Sequence, residues 1–430
     1  MAEHFDVLVV GAGPAGMAAA QTAATHGLRV GMIDAHAHPG GQVWRRDVRH
    51  GVPRTARQAI AALSTVEPLL QSTVLAVQAR ELLLETPHGS RHLQFDSLVL
   101  ATGARELLLP FPGWTLPGVN GAGGLQALAK QGWPIAGKRV VVAGSGLLLL
   151  AAAATLRKHG ARVLGIHEQA PAGAIAAFAW QLRHWPARMM QAVGLRARLA
   201  GIPYRTGSIV RAAEGARGLC SVVVEGPRGA RRIDCDHLAI GYGLVPDTGL
   251  AQLAGCTMDR SGSHPVVAVD ALLRTSVDGV YAAGEACGIG GLAAARVEGR
   301  IAGHMAAGAL ADASALLPER EHARQFARLL AHCFALSPRV RQLADANTIV
   351  CRCEDVRLGA IGAFDDARAA RLATRCGMGA CQGRICGTAL AELGYFPRGG
   401  MRPPLFPARL ATLASTGSHP FSNDNRGIST

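Results

Sequence analysis

The first apolar segment of the chain runs from Phe5 to Val10 and is followed at once by glycines. Apolar residues fall on both faces of this segment, a pattern typical of a buried parallel strand. Small residues over positions 17–25 predict a helix, and a second strand is expected over residues 29–34. The pattern therefore predicts a strand, a glycine turn, a helix and a parallel strand in succession.

The turn between this strand and helix has the spacing of a dinucleotide-binding fingerprint. Its first glycine makes the turn, the second admits a pyrophosphate, and the third lets the helix pack against the strand. The helix N-terminus presents free N–H groups to the phosphates, and an acid at the end of the second strand can accept from ribose hydroxyls. The predicted nucleotide-binding residues are Gly11, Gly13, Pro14, Ala15, Gly16 and Asp34.

A second turn of this kind lies between residues 140 and 168. A β-branched strand leads into Gly144 and Gly146, a helix follows, and the next strand ends near Glu168. Leu149 stands where the third glycine is expected, so one of the three glycine roles is lost. Two interpretations stay open. One is a degenerate Rossmann unit kept for structure, and the other is a second nucleotide site, for NAD(P) or ATP/ADP, that uses the two glycines and the acid.

A third glycine-rich segment covers residues 275–303. A short strand leads to Gly284 and Glu285, and further glycines open a helix that runs through Glu298. An acid at a strand end beside a helix N-terminus can hold a polyol chain while the helix faces a phosphate. Alone, this pattern is weak evidence for a binding site.

Composition narrows the class of protein. The chain has 430 residues, of which 49% are hydrophobic and 17% charged, and this indicates two or three folded domains. The net charge of +14 is carried almost entirely by arginine, without a basic run interleaved with aromatic residues, so we expect no nucleic-acid partner. The apolar run over residues 140–156 is at the short limit for crossing a bilayer, and its glycines favour strand–turn–helix, so we expect no transmembrane segment.

The cysteines are concentrated late in the chain, where five of the ten lie between Cys351 and Cys386. A disulfide framework is typical of short secreted chains, whereas this clustering indicates a metal or cluster site in a reducing compartment. No signal peptide is recognised, so we expect a cytoplasmic protein, either free or attached to the inner face of the membrane.

Four thiolates in one small unit suit either zinc or an iron–sulfur cluster. The first pair, Cys351 and Cys353, is spaced Cys-x-Cys rather than in the Cys-x-x-Cys spacing usual for zinc. Glycines around Cys381 and Cys386 let backbone N–H groups approach inorganic sulfides. These features favour an iron–sulfur cluster, and the lack of histidine within the segment argues against a Rieske-type centre.

In their order along the chain, the glycine turns resemble those of the glutathione-reductase-like flavoproteins, which have two dinucleotide-binding domains. Ala101-Thr102-Gly103-Ala104 is similar to the motif at which the chain leaves the FAD domain, and Gly284 with Glu285 resembles the closing flavin-contact motif, where aspartate is usual. The resemblance implies bound FAD. The further residues expected near it are Thr102, Gly103, Gly284 and Glu285, with Gly41 and Gln42 near the flavin and Arg45 near its phosphates.

One feature of these reductases is missing. Their redox-active cysteine pair lies near the flavin, but the loop after Asp34 has no cysteine, and Cys220 and Cys235 do not form a Cys-x-x-Cys pair. We therefore do not expect disulfide reduction.

The cysteine segment resembles the [2Fe–2S] domain of bacterioferritin-associated ferredoxins, in the version fused to amino-acid and polyol dehydrogenase subunits. The group includes subunits of opine oxidases, hydrogen cyanide synthase and heteromeric (hydroxy)proline dehydrogenases. The resemblance implies that Cys351, Cys353, Cys381 and Cys386 are the iron ligands. Cys376 matches no ligand position of the pattern and is treated as a spare thiol.

The resemblance implies an FAD- and [2Fe–2S]-containing electron-transfer subunit of a heteromeric amino-acid or opine-type dehydrogenase. A partner flavoprotein subunit would oxidise the amine or amino acid, and this chain would pass electrons to an acceptor. No catalytic residue is assigned, although His264, Arg296 and His304 lie in segments expected near the flavin. The alternatives are a stand-alone NAD(P)H-dependent reductase and an iron–sulfur assembly or regulatory protein with a vestigial flavin fold.

The predicted architecture is α/β, with two Rossmann-like domains, the second inserted in the first, and a small C-terminal [2Fe–2S] domain. We expect the FAD domain to comprise residues 1–118 and 268–315, and the inserted nucleotide-type domain residues 119–267. The cluster domain is expected over residues 316–396. The Pro-rich tail, residues 397–430, is expected either as an arm across a partner subunit or as a frayed end.

Overall fold

The computed structural model describes residues 3–396 and 401–415, so residues 397–400 and 416–430 of the expected tail lie outside the described part. The strands are β1 (Glu3–Val10), β2 (Val30–Asp34), β3 (Glu67–Leu70), β4 (Thr73–Gln78), β5 (Glu81–Thr86), β6 (Gly89–Leu100), β7 (Ala104–Glu106), β8 (Val119–Gly121), β9 (Arg139–Gly144), β10 (Arg162–Glu168), β11 (Tyr204–Arg205), β12 (Ile209–Glu214), β13 (Ser221–Gly226), β14 (Gly229–Asp234), β15 (His237–Gly241), β16 (Leu244–Pro246), β17 (Met258–Asp259), β18 (Val266–Val267), β19 (Val280–Ala282), β20 (Ile349–Cys351) and β21 (Val356–Arg357). The α-helices are α1 (Pro14–Thr25), α2 (Arg54–Ala61), α3 (Ala122–Lys130), α4 (Leu147–Lys158), α5 (Ala172–Gln181), α6 (Pro186–Arg198), α7 (Gly249–Leu253), α8 (Gly291–Ala306), α9 (Leu310–Ala315), α10 (Leu317–Cys333), α11 (Pro338–Arg341), α12 (Leu358–Ile361), α13 (Ala367–Thr374), α14 (Cys386–Glu392) and α15 (Leu410–Ala414). Two 3-10 helices cover Leu182–His184 and Gly284–Cys287.

The first sheet has the strand order β3-β2-β1-β6-β5-β4, and β19 also pairs with β6. β1 lies between β2 and the second half of β6 and is parallel to both. Val7 and Val9 pack in a core with α1 and α8, whereas Leu8 and Val10 pack in a second core with β5 and α7. The strand is apolar on both faces because both faces of the sheet are covered.

Helices α1 and α8 pack closely against each other over the first sheet. A Cβ atom built on Gly299 would lie 2.1 Å from the backbone oxygen of Ala15, and one on Gly303 would lie 2.5 Å from that of Ala19. Only glycine fits at such separations. This packing brings the beginning of the chain and the segment after Gly284 into one unit.

The second sheet is parallel, with the strand order β11-β10-β9-β15-β8. The apolar run over residues 140–156 forms β9, a turn and α4, as predicted. Leu149 is fully buried in a core between α3, α4 and this sheet. Within residues 3–396 and 401–415, no helix combines the length and apolar character needed to cross a membrane.

The chain returns from the second sheet through β16, which pairs with β7. After this crossing, Leu250 in α7, Cys256 and Val267 pack in the core of the first sheet. The predicted α/β class with two Rossmann-like units, the second within the first, is thereby confirmed. Residues 249–267 were expected to belong to the inserted second unit, but they pack with the first unit.

The last part of the chain forms a small module around the cysteines. Its core contains Val350, Cys351, Ile361, Cys376 and Cys386. Helix α10 leads into it from the first domain and packs against α5 through Phe326 and Phe178. A small C-terminal unit rich in cysteine is therefore present, with a core drawn from residues 344–396, whereas α10 packs on the other units.

Residues 401–415 lie against the chain's own first domain rather than extending away from it. The Leu405 N–H donates to the backbone oxygen of Leu75 at 2.7 Å, and the Leu405 side chain is buried in the core of the first sheet. Arg409 forms an ion pair with Glu85 at 2.6 Å. This part of the expected tail is thus a strap across β4 and β5.

Candidate flavin site and cysteine cluster

The first glycine turn has the geometry that its fingerprint requires. Gly11 has φ +107°, and a Cβ there would lie 2.2 Å from the backbone oxygen of Ala101. A Cβ on Gly16 would lie 1.7 Å from the oxygen of Gly11. A Cβ on Gly13 would meet nothing within 4 Å, so this position faces open space beside the first turn of α1. Gly11 and Gly16 therefore allow close backbone packing, and Gly13 leaves room for a ligand.

Asp34 closes the turn from the end of β2. One carboxylate oxygen accepts the Ala12 N–H at 2.7 Å, and the other accepts the His36 N–H at 2.8 Å. Burial would raise the pKa of Asp34, but hydrogen bonds from His36 and Ala12 outweigh it and hold this pKa below its ordinary value. The carboxylate is therefore ionised and oriented at neutral pH.

The loop after β2 folds back over this turn. A Cβ on Gly41 would lie 2.8 Å from the Cα of Gly13, and Gly41 has φ +56°. Arg45 donates to Oε1 of Gln42 at 2.8 Å, while Nε of Arg45 is buried without a hydrogen-bond partner. The structure therefore brings the three predicted loop residues to the first turn, with an unsatisfied cationic donor among them.

The Thr102–Gly103 motif lies where the chain leaves the first sheet. The segment that returns to this sheet, which includes Asp247, passes beside it. The Thr102 hydroxyl donates to the backbone oxygen of Asp247, and the Asp247 N–H donates to the oxygen of Gly103 at 2.9 Å. The motif is thus tied to the returning segment by two hydrogen bonds.

The closing motif lies directly against the first turn. Gly284 has φ +76°, and a Cβ there would lie 2.8 Å from the Cβ of Ala15. Burial raises the pKa of Glu285, although the Gly291 N–H and the charge of Arg324 oppose the rise. Residues far apart in sequence, Ala15 and Gly284, therefore meet at one place.

These residues fit FAD. The open face of Gly13 and the N-terminus of α1, which begins at Pro14, suit a pyrophosphate. The oriented Asp34 suits a ribose, and the partnerless Nε of Arg45 is a donor for a phosphate.

Glu298 is a residue of this region that sequence reasoning did not single out. It is fully buried in α8, accepts the Gly284 N–H at 3.0 Å, and forms ion pairs with Arg320 and Arg324 of α10. A signal was available, because Glu298 is the only acid in an apolar, small-residue helix. Its two arginine partners could not be read from the sequence, since they lie 22 and 26 positions away on another helix.

The second glycine turn is closed by backbone contacts. A Cβ on Gly144 would lie 1.8 Å from the oxygen of Gly241. Glu168 is fully buried, with its two oxygens accepting the N–H groups of Gly146 at 2.8 Å and Ala170 at 2.9 Å. Burial raises the pKa of Glu168 despite these hydrogen bonds. Unlike Asp34, this acid has no exposed oxygen to offer a ribose.

The segment after α10 covers this second turn. The Ser145 hydroxyl donates to the oxygen of Phe334 at 3.0 Å, and the Gln169 amide donates to that of Ala335 at 2.9 Å. At the same edge of the sheet, Glu106 accepts the N–H groups of Gly123 and Gly124 at the N-terminus of α3. These polar groups are thus bonded within the chain, whereas a Cβ on Gly146 would meet nothing within 4 Å.

The cysteines converge as two sets. The sulfurs of Cys351, Cys376 and Cys386 lie within 4.8 Å of one another and are buried. Cys353 and Cys381 contact each other through their thiols, with Cys353 exposed and Cys381 half-buried. The structure thus places the four predicted ligands in one module, divided between two sets, and adds Cys376 to the buried set.

Glycines make the close approach of these segments possible. A Cβ on Gly379 would lie 2.3 Å from the Cβ of Cys353, and Gly377 and Gly383 both have positive φ. A sulfur-rich donor set between close-lying backbone segments fits an iron–sulfur cluster. Zinc would also accept thiolates of this kind.

The cysteine module docks on the residues that follow the Thr102–Gly103 motif. Arg105 donates to the Thr388 hydroxyl at 2.7 Å, and the Trp114 indole N–H donates to the oxygen of Ile349 at 2.6 Å. The guanidinium of Arg352 lies over the Trp114 ring. The module is therefore anchored to the chain just beyond the flavin motif.

The three other candidate residues take part in local contacts. Nε2 of His264 lies 3.2 Å from Glu392 of the cysteine module, and His304 is hydrogen-bonded to His26 at 2.9 Å. Arg296 is exposed on α8. None of these contacts indicates a substrate site.

Comparison with known proteins assigns the chain to a family. The family model of pyridine nucleotide-disulphide oxidoreductases matches residues 5–307, so the chain belongs to this family and is an FAD-dependent oxidoreductase. It is 35% identical to an opine oxidase subunit of Rhizobium meliloti, over 95% of this chain and 98% of that protein. It is 33% identical to the hydrogen cyanide synthase subunit HcnB of Pseudomonas protegens, over 88% of this chain and 89% of that protein. The predicted membership in this group of subunits is confirmed.

Solved structures show the same fold. L-proline dehydrogenase from P. horikoshii superposes with a TM-score of 0.67 at 20% identity, covering 96% of this chain and 80% of that one. Thioredoxin reductase from T. acidophilum reaches 0.56 at 23% identity, covering 71% of this chain and 98% of that one. The second match is to a protein about as long as the first two units together.

Proposed function

We propose that this chain is the FAD- and [2Fe–2S]-containing electron-transfer subunit of a heteromeric amino-acid or opine-type dehydrogenase. The observation that supports this proposal most directly is the hydrogen bond from Arg105 to Thr388. Arg105 lies two residues beyond Gly103, and Thr388 lies two residues beyond Cys386. It joins the segment that follows the flavin motif directly to α14, the helix that begins at Cys386. When bound, a flavin exchanges electrons in pairs or singly and an iron–sulfur cluster exchanges them singly, so the two together convert a two-electron oxidation into single-electron steps.

The chain's residues divide the work of holding the two groups. Asp34, Arg45 and the N-terminus of α1 would hold the ribose and phosphates of FAD, with Gly284 and Glu285 at its ribityl side. The ligands in our proposal are Cys351, Cys353, Cys381 and Cys386. Because Cys353 is exposed, the Cys353–Cys381 side of the module is the one open to an electron partner.

A partner subunit is part of this proposal. The relatives in the group are named as subunits, of opine oxidase and of hydrogen cyanide synthase. We assign no catalytic residue to this chain, and place oxidation of the amine or amino acid on a partner flavoprotein. An acceptor such as a quinone would then receive the electrons.

The second glycine turn serves structure in this proposal. Burial of Glu168 and the Ser145–Phe334 hydrogen bond argue against a nucleotide there. If the chain were instead an NAD(P)H-dependent reductase, the purified chain alone would oxidise NADH or NADPH with a dye acceptor. We expect no such turnover, and finding it would favour the reductase.

The decisive experiment is anaerobic purification of the tagged chain from its own host. We expect flavin absorbance, the brown absorbance of an iron–sulfur cluster, and a second flavoprotein that co-purifies. A panel of D- and L-amino acids and opines should contain a compound that bleaches the complex. A colourless chain would overturn the redox proposal, and a coloured chain with no partner would overturn the heteromer.

A further inference from the structure

We propose that Cys376 is a reserve ligand of the cluster, able to replace either buried ligand, Cys351 or Cys386, but neither Cys353 nor Cys381. The inference rests on the proposed function, since it presumes a cluster in this module. It assigns a metal-binding role to a thiol outside the four-ligand pattern.

The first support is distance. The Cys376 sulfur belongs to a group of three in which every sulfur lies within 4.8 Å of the other two. The Cys386 sulfur therefore lies beside the sulfurs of both Cys376 and Cys351. Cys376 is thus close enough to the buried ligands for a small displacement to exchange one sulfur for another.

The second support is the way in which Cys376 is held. It follows the end of α13, where Arg375 has φ +63°, and its N–H donates to the Thr374 hydroxyl at 3.2 Å. The residue is 4% exposed and is as buried as Cys351 and Cys386. Gly377, with φ +81°, then turns the chain toward Cys381. The backbone therefore directs this thiol into the module core.

The third support is the asymmetry of the two sets. Cys353 and Cys381 contact each other on the outer side of the module and are not members of the buried group of three. Replacement by Cys376 should therefore be specific to one side. Variants of Cys353 and Cys381 can therefore serve as controls, because they remove the same kind of thiol from the other side of the module.

The exchange involves no change of oxidation state. The iron bond to the Cys386 sulfur breaks and a bond to the Cys376 sulfur forms. The incoming thiol gives up its proton, and the released thiolate takes one. Both cysteines remain reduced, so neither oxidant nor reductant is needed.

The test uses alanine variants of the full chain, purified anaerobically, with iron, acid-labile sulfide and flavin measured in each. The wild type should hold about two irons per chain. Cys386→Ala should retain most of this iron with a shifted electron paramagnetic resonance spectrum in the reduced state, because the ligand has changed. The double variant Cys376→Ala/Cys386→Ala should lose the iron, whereas Cys376→Ala alone should keep the wild-type iron content and spectrum.

The matched control is Cys381→Ala, which removes an outer ligand and should lose its cluster although Cys376 is present. Flavin content reports whether each variant is folded. Equal loss of iron from flavin-containing Cys386→Ala and Cys381→Ala would overturn the inference. A wild type without iron would instead overturn the proposed function.

If Cys386→Ala lacks flavin as well, Cys351→Ala provides the same comparison. If both lack flavin, the iron-depleted wild type is treated with diamide and mapped by mass spectrometry. Cross-links from Cys376 to Cys351 or Cys386 would support the inference, and a Cys353–Cys381 link alone would overturn it.

Discussion

The Arg105 guanidinium donates a hydrogen bond to the Thr388 hydroxyl at 2.7 Å, across the junction between the first domain and the cysteine module. Arg105 lies on β7, and Thr388 lies in the first turn of α14, two residues beyond Cys386. The Thr388 hydroxyl in turn donates to the backbone oxygen of Arg384, within the segment that joins Cys381 to Cys386. The junction therefore holds the cysteine loop itself.

Removing this hydrogen bond should slow electron transfer between the two cofactors without removing either. In Arg105→Ala we expect wild-type flavin and iron content but a several-fold slower electron transfer between flavin and cluster. A loosened junction would widen the distribution of distances between these two groups. The loss of a charged hydrogen bond costs about 1–3 kcal/mol at most, too little to unfold the chain. Flash photoreduction, with the flavin and cluster bands followed separately, measures the rate. An unchanged rate would show that this contact does not set the geometry.

The first-turn glycines should respond differently to alanine. Gly16→Ala should give little folded protein, because its Cβ would lie 1.7 Å from the Gly11 oxygen. Gly13→Ala should fold but bind FAD at least about tenfold more weakly, a loss of about 1.4 kcal/mol, because its Cβ points into the space for the pyrophosphate.

The control is Gly194→Ala, which adds a methyl group in open space on the exposed side of α6 and should leave FAD binding unchanged. Circular dichroism and flavin fluorescence titration separate folding from binding. Tight FAD binding by Gly13→Ala would contradict the assignment of this turn.

Asp34 should give a pH-dependent contribution to stability. Its pKa in the folded chain is lowered, so the contribution is fully present above the unfolded pKa, near 4, and is lost as the pH falls through the folded value. Asp34→Asn should be less stable than the wild type by about 1–2 kcal/mol at pH 7. Urea denaturation at pH 7 and at about pH 3 measures the difference, which should narrow at the lower pH.

Asp278 is the control, because its carboxylate is fully exposed. Asp278→Asn should leave the urea midpoint unchanged at both pH values. A difference between Asp34→Asn and the wild type that widens on acidification would contradict the lowered pKa.

Glu298 should be needed for both stability and flavin binding. Glu298→Gln leaves Arg320 and Arg324 without their buried counter-charge, and breaking such a pair typically costs about 3–5 kcal/mol. Since Glu298 also accepts the Gly284 N–H, FAD affinity should fall too. Denaturant unfolding measures the free energy of unfolding, and flavin titration measures the FAD affinity.

The matched control is Glu319→Gln, which breaks an ion pair with Arg300 on the surface. Exposed pairs contribute about 0–1 kcal/mol, so this variant should resemble the wild type. Equal effects of the two substitutions would show that the buried network has no special role.

The sequence alone was sufficient for the features that depend on local spacing. The first glycine turn follows from hard-sphere packing of backbone atoms, which leaves only glycine at Gly11 and Gly16. The run over residues 140–156 could be assigned to strand, turn and helix because its glycines interrupt it. The α/β class and membership in the family followed from the order of these motifs, and both are confirmed.

Contacts between distant segments were decided only by the tertiary structure. Glu168 and Asp34 end equivalent strands, yet Glu168 is fully buried with both oxygens bonded to backbone N–H groups, whereas Asp34 stays partly exposed. Cys376 matches no ligand pattern, but the end of α13 turns it toward Cys351 and Cys386. Residues 401–415 follow no local pattern and are held on β4 and β5 by contacts with Leu75 and Glu85. Spacing shows which residues are close along the chain. Burial and pairing between residues tens to hundreds of positions apart depend on how the helices and sheets pack, which no local pattern encodes.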